Sequence, residues 1–203
     1  MKIKKITSKF LSANQYVIIN DNKCIVIDPC INYNETIKLC SNIEAVLITH
    51  GHCDHILELE SYLNKNIKIY MHKKAYEKLI SSYKNCSTMC GFELIFNPIN
   101  LESEKINYVS NDEFVLIDKK VRSIENPGHT NCCVSYIIDD KMFTGDFLFK
   151  GSIGRTDLPT GNSTVMKLSL DKIKEFKEDF VIYPGHDNET TLFEEIKYNR
   201  YLK

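Results

Sequence analysis

Three histidines and an aspartate, all able to bind a metal, crowd into the six residues His50-Gly51-His52-Cys53-Asp54-His55, and further candidates follow at His129, Asp146 and His186. Imidazole nitrogen suits zinc, iron and other first-row ions, while a carboxylate adds negative charge and can bridge two ions. A histidine-rich set that contains aspartate and no thiolate points to a catalytic centre, since structural zinc is more often closed by cysteines. In an extended or turning segment His50 and His52 point the same way, while Asp54 and His55 leave where the next element begins. One loop can therefore serve two ions.

The three later candidates stand in Pro127-Gly128-His129-Thr130, Thr144-Gly145-Asp146 and Pro184-Gly185-His186, each with glycine just before the candidate ligand. Glycine permits the tight turn needed to aim a side chain at a shared centre. Singly, each reads as an ordinary loop residue; in succession after the cluster, they read as its remainder.

Elements must deliver these side chains. Residues 15–19 and 23–28 read as two strands joined at Asn20-Asp21-Asn22, 33–41 as a short helix, and 44–49 as a buried strand running into His50. Ile56, Leu57, Leu59 and Leu63 recur at helical spacing, with Asp54 at the N-cap position. A strand at 67–70 and a helix over 72–82 continue the alternation. Strands are expected at 105–109, 113–117, 120–125, 133–138 and 141–144, with a turn at Asp139-Asp140. A helix over 163–178 presents Val165, Met166, Leu168, Leu170, Ile173 and Phe176 as one face, followed by a strand at 180–183 and a closing helix over 189–202. Residues 83–104 read as a surface connection, with a flap over the cleft as the alternative.

The whole chain sets the class. At 203 residues with 43% apolar content, one domain over 1–203 is the default. Lys and Arg number 26 against 27 Asp and Glu, so no net field recruits nucleic acid or an anionic membrane. No apolar run approaches the ~20 residues that span a bilayer, and the N-terminus lacks a signal-peptide pattern. A cytoplasmic location is expected, and with it eight reduced cysteines acting as small apolar fillers.

The ordered set THGHCDH, PGHT, TGDFLF and YPGHD resembles the metallo-β-lactamase-fold hydrolases, particularly the glyoxalase II-like (hydroxyacylglutathione hydrolase-like) branch, over nearly the whole chain. The resemblance implies an α/β fold, an αββα sandwich of two mixed sheets flanked by helices, with metals at one edge. Carried over, it places one divalent ion, zinc before iron or manganese, on His50, His52 and His129, a second on Asp54, His55 and His186, and Asp146 between them. Asp28, in VIDP, matches an aspartate behind the site, where it would orient a ligand; capping the turn before Pro29 is its other reading.

The chemistry implied is hydrolysis of a small-molecule thioester or ester. Water between two divalent ions loses a proton near neutral pH and attacks the carbonyl, with Asp54 handling the proton. Arg155, in GSIGRTDLP, matches a basic position that contacts the substrate's anionic portion, against an internal pair with Asp157. Full-length glyoxalase II carries a C-terminal helical region that binds glutathione; only 17 residues follow His186 here, so glutathione specificity is not implied. The ligand set and the GRTD segment also resemble mononuclear-iron persulfide dioxygenases, and lactonases share the fold. Aspartate in place of cysteine at 146 departs from the commonest β-lactamase pattern. A non-catalytic binding protein is disfavoured because all seven ligand positions are filled. The oligomeric state is left open.

Overall fold

The computed structural model describes residues 1–65, 67–101 and 104–203. Its first sheet runs in the order β1 (Lys2–Thr7), β2 (Asn14–Asn20), β3 (Lys23–Ile27), β4 (Ile43–Leu47), β5 (Lys68–Met71), β6 (Ile106–Tyr108). The first three strands pair antiparallel and the rest parallel. The second contains β7 (Glu113–Leu116), β8 (Lys119–Glu125), β9 (Val134–Ile138), β10 (Lys141–Gly145), β13 (Val181–Pro184) and β14 (Thr190–Thr191), in the order β14-β13-β10-β9-β8-β7. A small hairpin, β11 (Leu148–Phe149) with β12 (Ser152–Ile153), follows β10. Helices are α1 (Tyr33–Thr36), α2 (Leu59–Leu63), α3 (Tyr76–Leu79), α4 (Pro98–Leu101), α5 (Ser163–Ile173) and α6 (Leu192–Tyr198).

The period of two in each strand divides the apolar residues between layers. Tyr16, Ile18, Ile25, Ile27, Ala45 and Leu47 face Val134, Tyr136, Ile138 and Phe143 in the core between the sheets. Their alternates Val17, Cys24, Val26 and Val46 pack with Ile56, Leu59, Tyr62 and Leu79 on the outer face of the first sheet. Ile137 and Met142 pack with Met166, Leu170 and Ile173 of α5 and Leu192 of α6 on the outer face of the second. Helix, sheet, sheet, helix is thus the metallo-β-lactamase sandwich expected.

Several local expectations need correction. KIKKIT, the basic start of the chain for which no element is expected, forms the edge strand β1. The helix expected from Asp54 begins only at Leu59, with Glu58 at its N-cap and no capping side chain; Asp54 is turned toward His186 instead and cannot reach the helix amides. The helices over 33–41, 72–82 and 163–178 are shorter, and Leu168 is exposed. Cys24 and Cys40, expected as thiols, are disulfide-bonded, because the end of the α1 loop returns beside β3 with the two Cα atoms 6.4 Å apart. The 83–101 stretch is anchored, not free: Asn85 is buried, its carbonyl accepts from the Cys53 amide at 2.8 Å, and Phe92 packs edge-on against Phe10. Residues 102–103 of the 83–104 connection, for which a flap is the alternative reading, lie outside the described residues. Among the described residues no helix is long and apolar enough to cross a membrane.

Candidate metal centre

Every candidate ligand lies just beyond the carboxyl end of a strand. Asp28 follows β3, the His50–His55 loop follows β4, His129 follows β8, Asp146 follows β10 and His186 follows β13. Open α/β sheets place their sites at these ends because the strands stop there and the loops are free to converge. All seven expected ligands converge here. His50, His52, Asp54, His55 and His129 are buried, and Asp146 and His186 border the open side with 12% and 22% of their side chains exposed.

Two trios of ligand atoms are close enough to share an ion: His50, His52 and His129, and Asp54, His55 and His186. His129 Nε2 lies 2.9 Å from His52 Nδ1, and His55 Nε2 lies 3.3 Å from His186 Nε2. Asp54 Oδ2 sits 3.2 Å from His186 Nε2. Asp146 reaches both groups, with Oδ1 3.2 Å from His55 Nε2 and Oδ2 3.5 Å from His129 Nε2. Asp28, His50 and His55 form a third close group, but the Asp28 oxygens are already engaged.

Those engagements set the imidazole tautomers. Asp28 Oδ1 accepts from the Thr49 amide at 2.7 Å, and Oδ2 accepts from Thr49 Oγ1 at 2.7 Å and from His55 Nδ1 at 2.9 Å. Having donated its only proton to Asp28, the Thr49 hydroxyl can only accept from His50 Nδ1, 3.1 Å away. His129 Nδ1 faces the Arg155 carbonyl at 2.7 Å and must donate to it. His50 and His129 therefore each offer an Nε2 lone pair. Among the described residues, four buried side-chain polar atoms lack a hydrogen-bond partner: His50 Nε2, His52 Nε2, Asp146 Oδ1 and Asn126 Oδ1. Three of the four belong to this cluster; an ion would satisfy His50 Nε2 and Asp146 Oδ1, whereas His52 approaches His129 through Nδ1. The donor set fits divalent metals.

The halves differ electrostatically. Burial, then the charge of His55, holds His50 well below the usual imidazole range; burial, then His129, brings His52 down to about 3; burial also lowers His129. Burial would lower His55 too, but Asp54 and Asp146 outweigh it and push it well above normal. Conversely, burial would raise Asp146, but the His55 charge prevails and holds it well below the carboxylate range. The first trio is thus neutral and the second is an ionic cluster.

Close backbone packing aims the ligands. The β10/β13 register slips between Phe143 and Gly145, which brings Gly145 beside Pro184, and the Gly185 amide donates to the Gly145 carbonyl at 2.8 Å. Gly145 has φ +50, the left-handed region that glycine enters without strain. Asn162 caps α5 by accepting from the Val165 amide, and Ser169 on α5 donates to the Pro127 carbonyl, which pins the loop carrying His129.

Arg155 forms a two-pronged pair with Asp157, Nε to Oδ1 at 2.7 Å, with both side chains exposed. Its carbonyl, not its guanidinium, is what touches a candidate ligand. Thr49 and this carbonyl escaped the sequence reading, because a main-chain acceptor has no residue-type signature and an isolated threonine carries no spacing signal.

Asp28→Asn, which keeps the size but presents an amide where three donors converge, is expected to weaken metal binding about 10–100-fold, as loss of a ligand-orienting partner does. Metal titration of the variant in competition with a chromophoric chelator measures it.

The profile of the metallo-beta-lactamase superfamily matches residues 8–186. A probable metallo-hydrolase of Streptococcus pyogenes is 30% identical, with 100% of this chain and 90% of that protein covered. A hydroxyacylglutathione hydrolase of Haemophilus influenzae is 28% identical over 100% of this chain and 98% of its own length. Among solved structures, BLEG-1, a B3 metallo-beta-lactamase, superposes with a TM-score of 0.89 at 27% identity, covering 100% of both chains.

Proposed function

The chain belongs to the metallo-beta-lactamase superfamily, and from that premise we propose that it is a dinuclear metal-dependent hydrolase of a small-molecule thioester or ester. The observation that carries this reading is Asp146, whose two oxygens address His55 and His129 from opposite trios. His50, His52 and His129 would hold one ion, Asp54, His55 and His186 the other, and Asp146 both, with zinc the first choice of metal. Divalent ions in these positions supply Lewis acidity, acidifying water and polarising a carbonyl oxygen.

The chain's own groups do the rest. Asp54, held 3.2 Å from His186 Nε2 on the less buried side, is the carboxylate placed to orient water and accept its proton, then return it to the leaving group. Asp28 keeps His55 aimed directly and His50 aimed through Thr49, and so limits reorganisation during the reaction. A thiolate leaving group needs little protonation, which makes thioesters the easiest substrates. Arg155 would release Asp157 for an anionic portion of the substrate; the exchange is easy because solvent screens the exposed pair.

The second reading is cleavage of a cyclic amide, favoured by the full-length likeness to BLEG-1. A panel of thioesters, lactones, β-lactams and persulfides, assayed with Zn, Fe and Mn after chelator treatment, separates the cases. Thioester turnover restored by about two equivalents of metal is the expected result. Turnover of β-lactams alone, or oxygen consumption on a persulfide with a single iron, would sink it.

A further inference from the structure

Lys78, on α3, is fully buried, yet among the described residues its ammonium has no carboxylate partner. Nζ donates instead to two neutral oxygens, Asn131 Oδ1 at 2.9 Å and Thr160 Oγ1 at 2.8 Å. Burying an ammonium against neutral acceptors is unfavourable unless the contacts do something that an apolar side chain cannot.

Its contacts converge on the first trio from both sides. The stem lies against Gly51, between His50 and His52, so closely that a Cβ at 51 would stand 2.7 Å from Lys78 Cβ and 2.9 Å from Cδ. Asn131 is two residues beyond His129. Thr160 lies in the loop whose Arg155 carbonyl holds His129 Nδ1. Thr160 is also β-branched with φ +71, a conformation such residues rarely keep, and its hydroxyl accepts from both Lys78 Nζ and, at 3.4 Å, the Asn131 amide. The main chain of Lys78 adds a further tie. Its carbonyl accepts from Asn85 Nδ2 at 3.0 Å, and the Asn85 carbonyl accepts from the Cys53 amide.

We propose that Lys78 is a positioning residue for the first metal, fixing the separation of the His50–His52 loop from His129 by hydrogen-bonding the His129 side while its stem seats Gly51. This rests on the ligand assignment proposed above. A purely space-filling lysine would leave metal binding untouched when replaced by an apolar side chain of similar length.

Cobalt(II) titrated into the chelator-treated protein provides the test, with visible absorption and stoichiometry as readouts beside thermal unfolding of the metal-free form. Lys78→Met is expected to weaken one of the two ions about 10–100-fold and alter its absorption, while the metal-free melting temperature stays level or rises as the uncompensated charge is lost. Lys78→Gln, which retains an N–H donor, is expected to recover part of the affinity, and it decides the matter alone if the methionine variant does not fold. Cobalt binding and spectra equal to the parent's in these variants, or affinity falling only in step with metal-free stability, would overturn the proposal. Failure of the parent to bind two ions would instead overturn the ligand assignment itself.

Discussion

Asp146→Ala is expected to abolish hydrolysis at the level of a routine assay. Truncating one member of a buried charged cluster leaves its partners uncompensated, at a cost of about 3–5 kcal/mol. Expressed in the reaction barrier, that is a loss of about 10²–10⁴-fold in kcat/KM. The buried environment supports the upper part of the range. The Asp146 carboxylate lies well below its ordinary pKa because of His55, and Asp54 and Asp28, the other carboxylates against His55, do not take its place between the two trios. Metal stoichiometry measured on the purified variant should fall from two ions toward one or none, and steady-state kinetics on the best thioester should show kcat falling. A variant that keeps two tightly held ions and near-normal turnover would remove Asp146 from the centre.

Gly185→Ala is the second large effect, and it comes from a residue with no chemistry of its own. A methyl group there would overlap Asp146 Oδ1 and stand 2.7 Å from His55 Cε1 and 2.9 Å from the Gly145 carbonyl carbon. None of these can withdraw freely, since His55 is buried, Asp146 is held between His55 and His129, and Gly145 is in the sheet. Overpacking of this kind destabilises by about 1–3 kcal/mol. Displacing a catalytic group by about 1 Å is worth about 10²-fold in rate. Activity should therefore fall far more than stability. Gly91→Ala is the control: φ is +84 but nothing lies within 4 Å of the added methyl, so it should lower the melting temperature slightly and leave kinetics alone. Equal kinetic losses in the two variants would show that Gly185 is merely a backbone requirement. Thermal melts and kcat/KM on the same preparations distinguish the outcomes.

The central strands were legible because alternation is a local property, whereas β1 and the two-residue strands β11, β12 and β14 were not. Ile25, Ile27 and Val26 separate onto opposite faces of β3 whatever else the chain does. Helix lengths were less so: α5 stops at Ile173 although Phe176 continues the apolar spacing, because tertiary packing, not periodicity, decides where a short helix ends. Asp54 illustrates a conflict between levels. Its position before an apolar run reads as an N-cap, but the carboxylate points at His186, and the attraction of that group outweighs a cap's contribution. The Cys24–Cys40 bond was hidden for a related reason, since the pairing depends on the α1 loop returning beside β3 and on nothing within either segment.

Residue type and spacing alone determined that His50, His52, Asp54, His55, His129, Asp146 and His186 are the groups to watch, because few arrangements of histidine and aspartate after strands serve any purpose but an ion. Only the tertiary structure decided how they divide into two trios of opposite electrostatic character, which nitrogen each histidine presents, and that Thr49, Lys78 and the Arg155 carbonyl stand behind them. Those properties depend on hydrogen bonds and burial between segments more than twenty residues apart in the chain, such as Asp28 with His55 and Lys78 with Asn131. Distances of that kind exist only once the two sheets have packed.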